Sequence, residues 1–459
     1  MSADRNANGV THTDIGALRE DNSETVFSIT NSGKYTLPFF ERFPPEIMGL
    51  IFRWCLDGEI LFLPICYDCS TVTMPWALGQ VCSRWRDILM NDSTVWSSLT
   101  ISYESVRDKE ALTRKVKEMI LPRSKHDLIS LTCSNMEFRD DATYHTNAIS
   151  TIVMPNLEKF RNLTLSMARE ELDPLITSPP DLLASLESVK LCFTWTSFST
   201  LEDFDFHPDS ITVFERAPKL RKVHFTGFYF CEFQGKNPLT LPWSQLTDIE
   251  ITINLPFTAV LKFLPFCMQL VNCWLSFGSM DDRINQRPLL GQITLPSLRS
   301  ITLCSAYAGT LACPNLLQLL ILPALKDFTL HLYDRIFVQE ILLALIQRSG
   351  CRLERFEVTG YFEDSLNNAA TLLEAMPSLK RLVLPRDYVL PMPTIERIMA
   401  GELVLGLEAI HCQVASLPLM LQLIESRRSG KSAESRESYK GIRCSVLWGR
   451  GMLECKCET

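Results

Sequence analysis

The most regular feature of the chain is a six-residue pattern, apolar-x-x-apolar-x-apolar, that recurs between residues 160 and 412. It reads FRNLTL from Phe160, LESVKL from Leu186, LRKVHF from Leu220, LTDIEI from Leu246 and LVNCWL from Leu270. LRSITL from Leu298, LKDFTL from Leu325, LERFEV from Leu353, LKRLVL from Leu379 and LEAIHC from Leu407 continue it. Weaker versions start at Trp96 (WSSLTI) and Leu128 (LISLTC). From Phe160 onward, successive starts lie 24 to 34 residues apart. A near-constant period in the twenties marks a solenoid. Pro155, Pro218, Pro242, Pro265, Pro296, Pro323 and Pro377 precede units at a similar offset. Inside a unit the alternation, as in Ile301-Thr302-Leu303, predicts a short strand with one buried face. Some spacers carry helical patterns, best at Ile336–Leu345 and Leu366–Met376 and weaker at Thr394–Met399 and Leu417–Ile424. One strand and one helix per repeat predicts a curved parallel sheet with helices outside, each unit covering apolar side chains that its neighbour cannot bury alone.

The N-terminal part follows another period. Residues 1–34 are polar and read as a disordered tail, with order expected from about Leu37-Pro38. Pro44 and Pro45 suit a helix start. Ile47, Leu50, Ile51 and Trp54 then fall at helical spacing along one stripe. Residues 59–75 have no clear period and read as a loop or insertion. A second helix is predicted with Leu78, Val81, Cys82, Trp85, Ile88 and Leu89 on one side, ending at Asn91-Asp92-Ser93. Helices this short bury each other only partly, so a leftover apolar face is expected to dock elsewhere. Trp54 is expected in the core of this module, and Trp85 is expected to serve both the core and a docking surface. Residues 426–443 read as a flexible polar loop, and 444–459 as a last strand with a frayed tail.

The segments FPPEIMGLIF (Phe43–Phe52), LGQVCSRWRDIL (Leu78–Leu89) and VWSSL (Val95–Leu99) together resemble the F-box motif. With the degenerate repeats behind them, they look most like the F-box-like proteins numerous in mushroom-forming fungi. The resemblance implies an α/β chain: a short all-α F-box-like module over 37–100 with an inserted loop at 57–76, then a leucine-rich-repeat solenoid over 101–425. It implies a substrate receptor of a cullin–RING ubiquitin ligase, with the F-box docked on a Skp-type adaptor and the repeats holding a target protein. Carried over by position, the adaptor contacts would be Pro44, Pro45, Ile47, Ile51, Val81 and Trp85. The insertion replaces the short link usual in the family, and it motivates an alternative, a repeat scaffold that works without the ligase. No ladder of Asn follows the strands, as Cys304-Ser305-Ala306 after Leu303 shows, so irregular turns are expected.

In such an array the polar strand positions line the concave face. The candidates for target binding are Lys222, His224, Glu250, Trp274, Arg355 and Arg381, in a row with Lys190, Asp248, Asp327, Glu357 and His411. A large aromatic at an exposed strand position is a typical interface anchor. A one-residue slip of register would instead put Trp274 in the core. For the charged members a merely solvated face is the preferred reading.

Composition narrows the remaining choices. The net charge of −8 carries no sign of a nucleic-acid surface. No signal peptide is evident, and no run of 18 apolar residues suggests a membrane span, so a cytosolic or nuclear protein is expected. The 16 cysteines are scattered. Cys82, Cys192, Cys273, Cys304 and Cys412 occupy apolar positions and read as reduced, buried thiols. Cys66 and Cys69 have the spacing of half a zinc site without a second half, so no metal and no cofactor is expected. Gly430-Lys431-Ser432 lacks the earlier glycine of a phosphate-binding loop. Nucleophile-elbow and zinc-protease motifs are absent, so no enzyme is expected.

Overall fold

The computed structural model describes residues 43–55, 60–62, 76–103, 108–135, 148–194, 211–227, 239–277, 291–305, 311–332, 339–360, 369–385, 388–412, 421–423, 425, 443–448 and 451–456. Pro45–Thr459 form one compact unit. The sequence-predicted N-terminal tail, the Cys66/Cys69 pair and the Gly430-Lys431-Ser432 segment lie outside the described residues.

Each hexapeptide becomes a strand. The strands are β1 (Ile60–Phe62), β2 (Ser98–Ser102), β3 (Ile129–Ser134), β4 (Phe160–Ala168), β5 (Ser188–Thr194), β6 (Lys222–Gly227), β7 (Asp248–Leu255) and β8 (Asn272–Phe277). They continue with β9 (Ile293–Thr294), β10 (Ser300–Ser305), β11 (Leu320–Ile321), β12 (Asp327–Leu332), β13 (Arg355–Gly360), β14 (Arg381–Val383) and β15 (Ala409–His411). All but β9 and β11 join one 13-stranded sheet in chain order, every pairing parallel. β9 and β11 pair with each other in a small parallel ribbon. The result is a leucine-rich-repeat-like solenoid.

Register follows the hexapeptide. Position three runs Ser188, Lys222, Asp248, Asn272, Ser300, Asp327, Arg355, Arg381 from strand to strand, and each pairs directly with the next. The two weaker units obey the same phase, since Leu99 pairs with Leu131 and Leu131 with Leu163. Positions four and six are therefore buried together, as in Ile249 and Ile251, Ile301 and Leu303, Phe328 and Leu330, Phe356 and Val358. Each such side chain contributes roughly 1.5–3 kcal/mol of gross burial. Phe328 and Phe356 stack across neighbouring strands with centroids 5.9 Å apart.

The prolines act one step before the strand. In Leu295-Pro296-Ser297-Leu298 the Leu298 N–H donates to the Leu295 carbonyl at 3.4 Å. Leu322-Pro323-Ala324-Leu325 repeats the bond at 3.2 Å and Met376-Pro377-Ser378-Leu379 at 3.1 Å. Proline at the second residue of a four-residue turn presets its φ near −65°. The turn delivers the first leucine of each unit into the core, where Leu298, Leu325 and Leu379 are buried.

Between strands run α4 (Lys109–Lys115), α5 (Arg169–Ile176), α6 (Phe257–Phe263), α7 (Ala312–Leu319), α8 (Gln339–Ser349), α9 (Ala369–Glu374) and α10 (Met392–Met399). α8, α9 and α10 fall in spacers that the pattern marks as helical. α6 and α7 have no such mark, because Ala259, Val260, Leu261, Cys313, Leu316 and Leu317 are buried around most of their circumference and leave no polar face to set a period. The final strand expected at Cys444–Trp448 does not extend the parallel sheet by itself. Arg443–Trp448 pairs antiparallel with Gly451–Lys456 in a separate hairpin.

The headpiece comprises α1 (Pro45–Cys55), α2 (Trp76–Val81) and α3 (Ser83–Asn91). The single second helix expected from the pattern is broken at Cys82. Its backbone is extended (φ −160°), and its Sγ accepts the Trp85 N–H at 3.5 Å, so it caps α3. Part of the expected insertion is also ordered: Ile60–Phe62 pair with Leu99–Ile101 as the edge strand of the sheet. Trp96 ties the two parts together. It is buried, its Nε1 donates to the Leu89 carbonyl at 2.8 Å, and the Arg123 guanidinium lies 5.1 Å from its ring centroid.

Candidate functional site

Alternation leaves positions three, five and seven of each strand on the face opposite the buried residues. Position five reads Lys190, His224, Glu250, Trp274, Thr302, Thr329, Glu357, each paired in register with the next. Position seven follows with Cys192, Thr226, Ser276, Cys304, His331 and Thr359. A cavity of about 620 Å³ opens over positions five to eight of β5, β6, β7, β8, β10, β12 and β13. Seven strands about 4.8 Å apart span roughly 29 Å. A depression that crosses so many strands requires a sheet that is concave on this side.

β7 adds to the depression. Ile251 pairs with Leu275, and the next pairing is Leu255 with Phe277, so four residues on β7 match two on β8. Such a bulge bends its strand and re-aims side chains, and bulges concentrate beside functional sites. Thr252, within the bulge, lines the cavity. At the opposite edge Gly360, with φ +126°, lets the chain pass so close to the Leu332 carbonyl that a Cβ would sit 1.6 Å from its oxygen.

The centre of the cavity is Glu250 and Trp274, on adjacent strands and in register. Trp274 is 38% exposed, which settles its register: it is on the open face and not in the core. The Glu250 Oε2 lies 2.8 Å from His224 Nδ1. The adjoining His224 holds the Glu250 carboxyl below the usual carboxylate range, with partial burial opposing it. His331 hydrogen-bonds Thr359 through Nδ1, and burial pushes its imidazole pKa down, with Glu357 opposing.

Of the candidates read from the sequence, Glu250 and Trp274 line the cavity and His224 holds Glu250. Lys222, Arg355 and Arg381 share the open face but occupy position three, nearer the strand starts. Arg355 is engaged by Glu357 on its own strand at 2.8 Å. The position-seven residues lie one step past the hexapeptide. Carrying the alternation one residue further would have found them. Two cysteines read as core belong to that row: Cys192 and Cys304 are half-buried in the cavity wall because they stand on the open side of their strands. Cys412 is half-buried as well, Cys82 is exposed as the cap of α3, and Cys273 is buried as expected.

The headpiece is the second surface. Met48 and Phe52 form the buried stripe of α1, and Phe52 packs on Trp85 with ring centroids 5.0 Å apart. The stripe read from the sequence is the exposed one. Ile47, Leu50 and Ile51 face solvent, and Trp54 is 87% exposed, which corrects its assignment to the core. α1 is apolar on nearly every side, so its period could not say which side packs. Pro44, Pro45 and Val81 are exposed and Trp85 is half-buried.

No protein-family model matches the chain, and no curated protein matches it significantly. Among solved structures it is similar to a chain in the crystal structure of the Rad7 and Elc1 complex in yeast, at 13% identity, covering 81% of this chain and 90% of that one, with a TM-score of 0.30. At that score the likeness carries nothing about function or partners.

Proposed function

We propose that this chain is a non-enzymatic substrate adaptor of a cullin–RING ubiquitin ligase, whose headpiece docks on a Skp-type adaptor and whose concave sheet face holds a target protein. One observation carries the reading. The residues that resemble the F-box motif fold into a helical headpiece that buries Met48, Phe52, Leu89 and Trp96 yet leaves Ile47, Leu50, Ile51, Trp54 and Val81 in solvent. Exposed apolar clusters of this kind mark interaction sites. The reading implies a cytosolic or nuclear address.

The test is co-purification of the full chain with a Skp-type adaptor. Wild type is expected to form a stoichiometric complex, and the double variant Ile47→Glu, Ile51→Glu is expected to lose it while keeping its circular dichroism. A folded wild-type chain that captures no Skp-type adaptor would overturn the ligase assignment and leave the repeat scaffold.

A further inference from the structure

The cavity of about 620 Å³ on the concave face has a chemical polarity along its length. Its apolar lining is Phe193 on β5 and Leu332 on β12, both mostly covered, with Thr359 and Gly360 of β13 beyond Leu332. Its middle holds Glu250 and Trp274 side by side. The rest of the wall is hydroxyls, thiols, glycine and the His331 imidazole, whose pKa burial lowers. Glu250 is thus the charged group of the lining at neutral pH. A carboxylate beside an exposed indole face attracts a cation in two ways, by charge and by the ring quadrupole. The whole chain, at −8, favours approach of a basic partner.

We infer that the cavity is a recognition pocket for an extended peptide segment bearing a central arginine between two apolar residues. The guanidinium lies over Trp274 with its N–H groups toward Glu250, and the apolar neighbours reach Phe193 and Leu332. Phe193 and Leu332 stand five strand intervals apart, roughly 24 Å at about 4.8 Å per interval. The six intervals of an extended heptapeptide cover about 20 Å at roughly 3.3 Å each, and its terminal side chains reach the remainder. Arginine fits better than lysine, because its planar fork can stack on the indole and donate to the carboxylate at once. His224 is a positioning residue, holding Glu250 through Nδ1 at 2.8 Å. The inference rests on the reading of the concave face as the target site, and not on which adaptor the headpiece binds.

The probe is the synthetic heptapeptide acetyl-Phe-Ala-Ala-Arg-Ala-Ala-Leu-amide, titrated calorimetrically into the full chain beside a twin with citrulline, which keeps the shape and removes the charge. The arginine peptide is expected to bind at least about tenfold tighter than its twin. Glu250→Gln is expected to erase that preference, and Trp274→Ala to weaken both peptides. Both side chains are on the open face, and unchanged melting of the variants confirms that they fold. Equal binding of the two peptides, a preference that survives Glu250→Gln, or no binding of the arginine peptide at millimolar concentration would overturn the inference. Neither variant touches the headpiece, so Skp-type adaptor capture by the same proteins reports separately on the ligase reading.

Discussion

Trp274 and His331 meet across a strand that separates them. β10 lies between β8 and β12, yet the two rings lean together over it with centroids 6.4 Å apart. Cys304 and Ser276 line the same cavity, where burial raises the Cys304 thiol pKa and a hydrogen bond with Ser276 opposes it. His331 is partly buried there, and that burial makes stability depend on pH.

In the unfolded chain this imidazole titrates near 6.5, and burial in the folded chain lowers that value. As pH falls the unfolded chain binds the proton first, so folding is penalised. The contribution is complete above pH 6.5 and is lost between there and the lower folded pKa. Between about pH 7.5 and about 5.5 the urea midpoint of wild type is therefore expected to drop further than that of His331→Gln. Parallel curves for the two proteins would show that His331 is not the group responsible.

Two glycines with positive φ separate strain from crowding. Gly350 follows α8, with φ +58° and open space where a Cβ would go. Gly350→Ala is expected to cost about 1–2 kcal/mol, the left-handed penalty alone. Gly360, with φ +126°, would also drive its Cβ into the Leu332 carbonyl. Gly360→Ala is expected to cost more than about 3 kcal/mol and to distort the cavity edge. Denaturant unfolding of the two variants ranks them directly, and similar losses would mean that β13 can move away from β12.

The sheet was legible in the sequence because one residue type recurs at one phase. Even the weak units at Trp96 and Leu128 took the register of the others, since Leu99, Leu131 and Leu163 line up. What stayed hidden had no period to display. Ile60–Phe62 are three residues at a sheet edge, too few to display a period. The break at Cys82 left the apolar spacing of α2 and α3 intact, so two helices looked like one. The cavity needs the β7 bulge and the curvature of seven strands, and neither has a signature in residue type.

Trp96 makes headpiece and sheet one cooperative structure. Its Nε1 bond to the Leu89 carbonyl crosses from α3 to the segment entering β2, inside the core, where Trp76 packs edge-on at 5.5 Å. Trp96→Phe leaves a buried carbonyl without its donor, which costs about 1–3 kcal/mol. The loss is expected to shift a single unfolding transition seen by both far-ultraviolet circular dichroism and tryptophan fluorescence. Separate transitions for the two probes would show that headpiece and sheet unfold independently.

The exposed side of α1 also has a consequence in the free protein. Trp54, Leu50, Ile47 and Ile51 leave an apolar surface in water, while α1 buries Met48 and Phe52. Such a patch binds hydrophobic dyes and promotes weak self-association. Because Trp54 is 87% exposed, Trp54→Ser removes patch area without opening a cavity. It is expected to lower dye fluorescence by about half or more and to change stability by less than about 0.5 kcal/mol. Phe52→Ser should do the reverse: Phe52 is fully buried against Trp85, and its loss is expected to cost about 3–5 kcal/mol and to raise dye binding as the headpiece loosens. A Trp54→Ser protein that melts several degrees lower would show that the indole is packed, and that the surface offered for docking lies elsewhere on the headpiece.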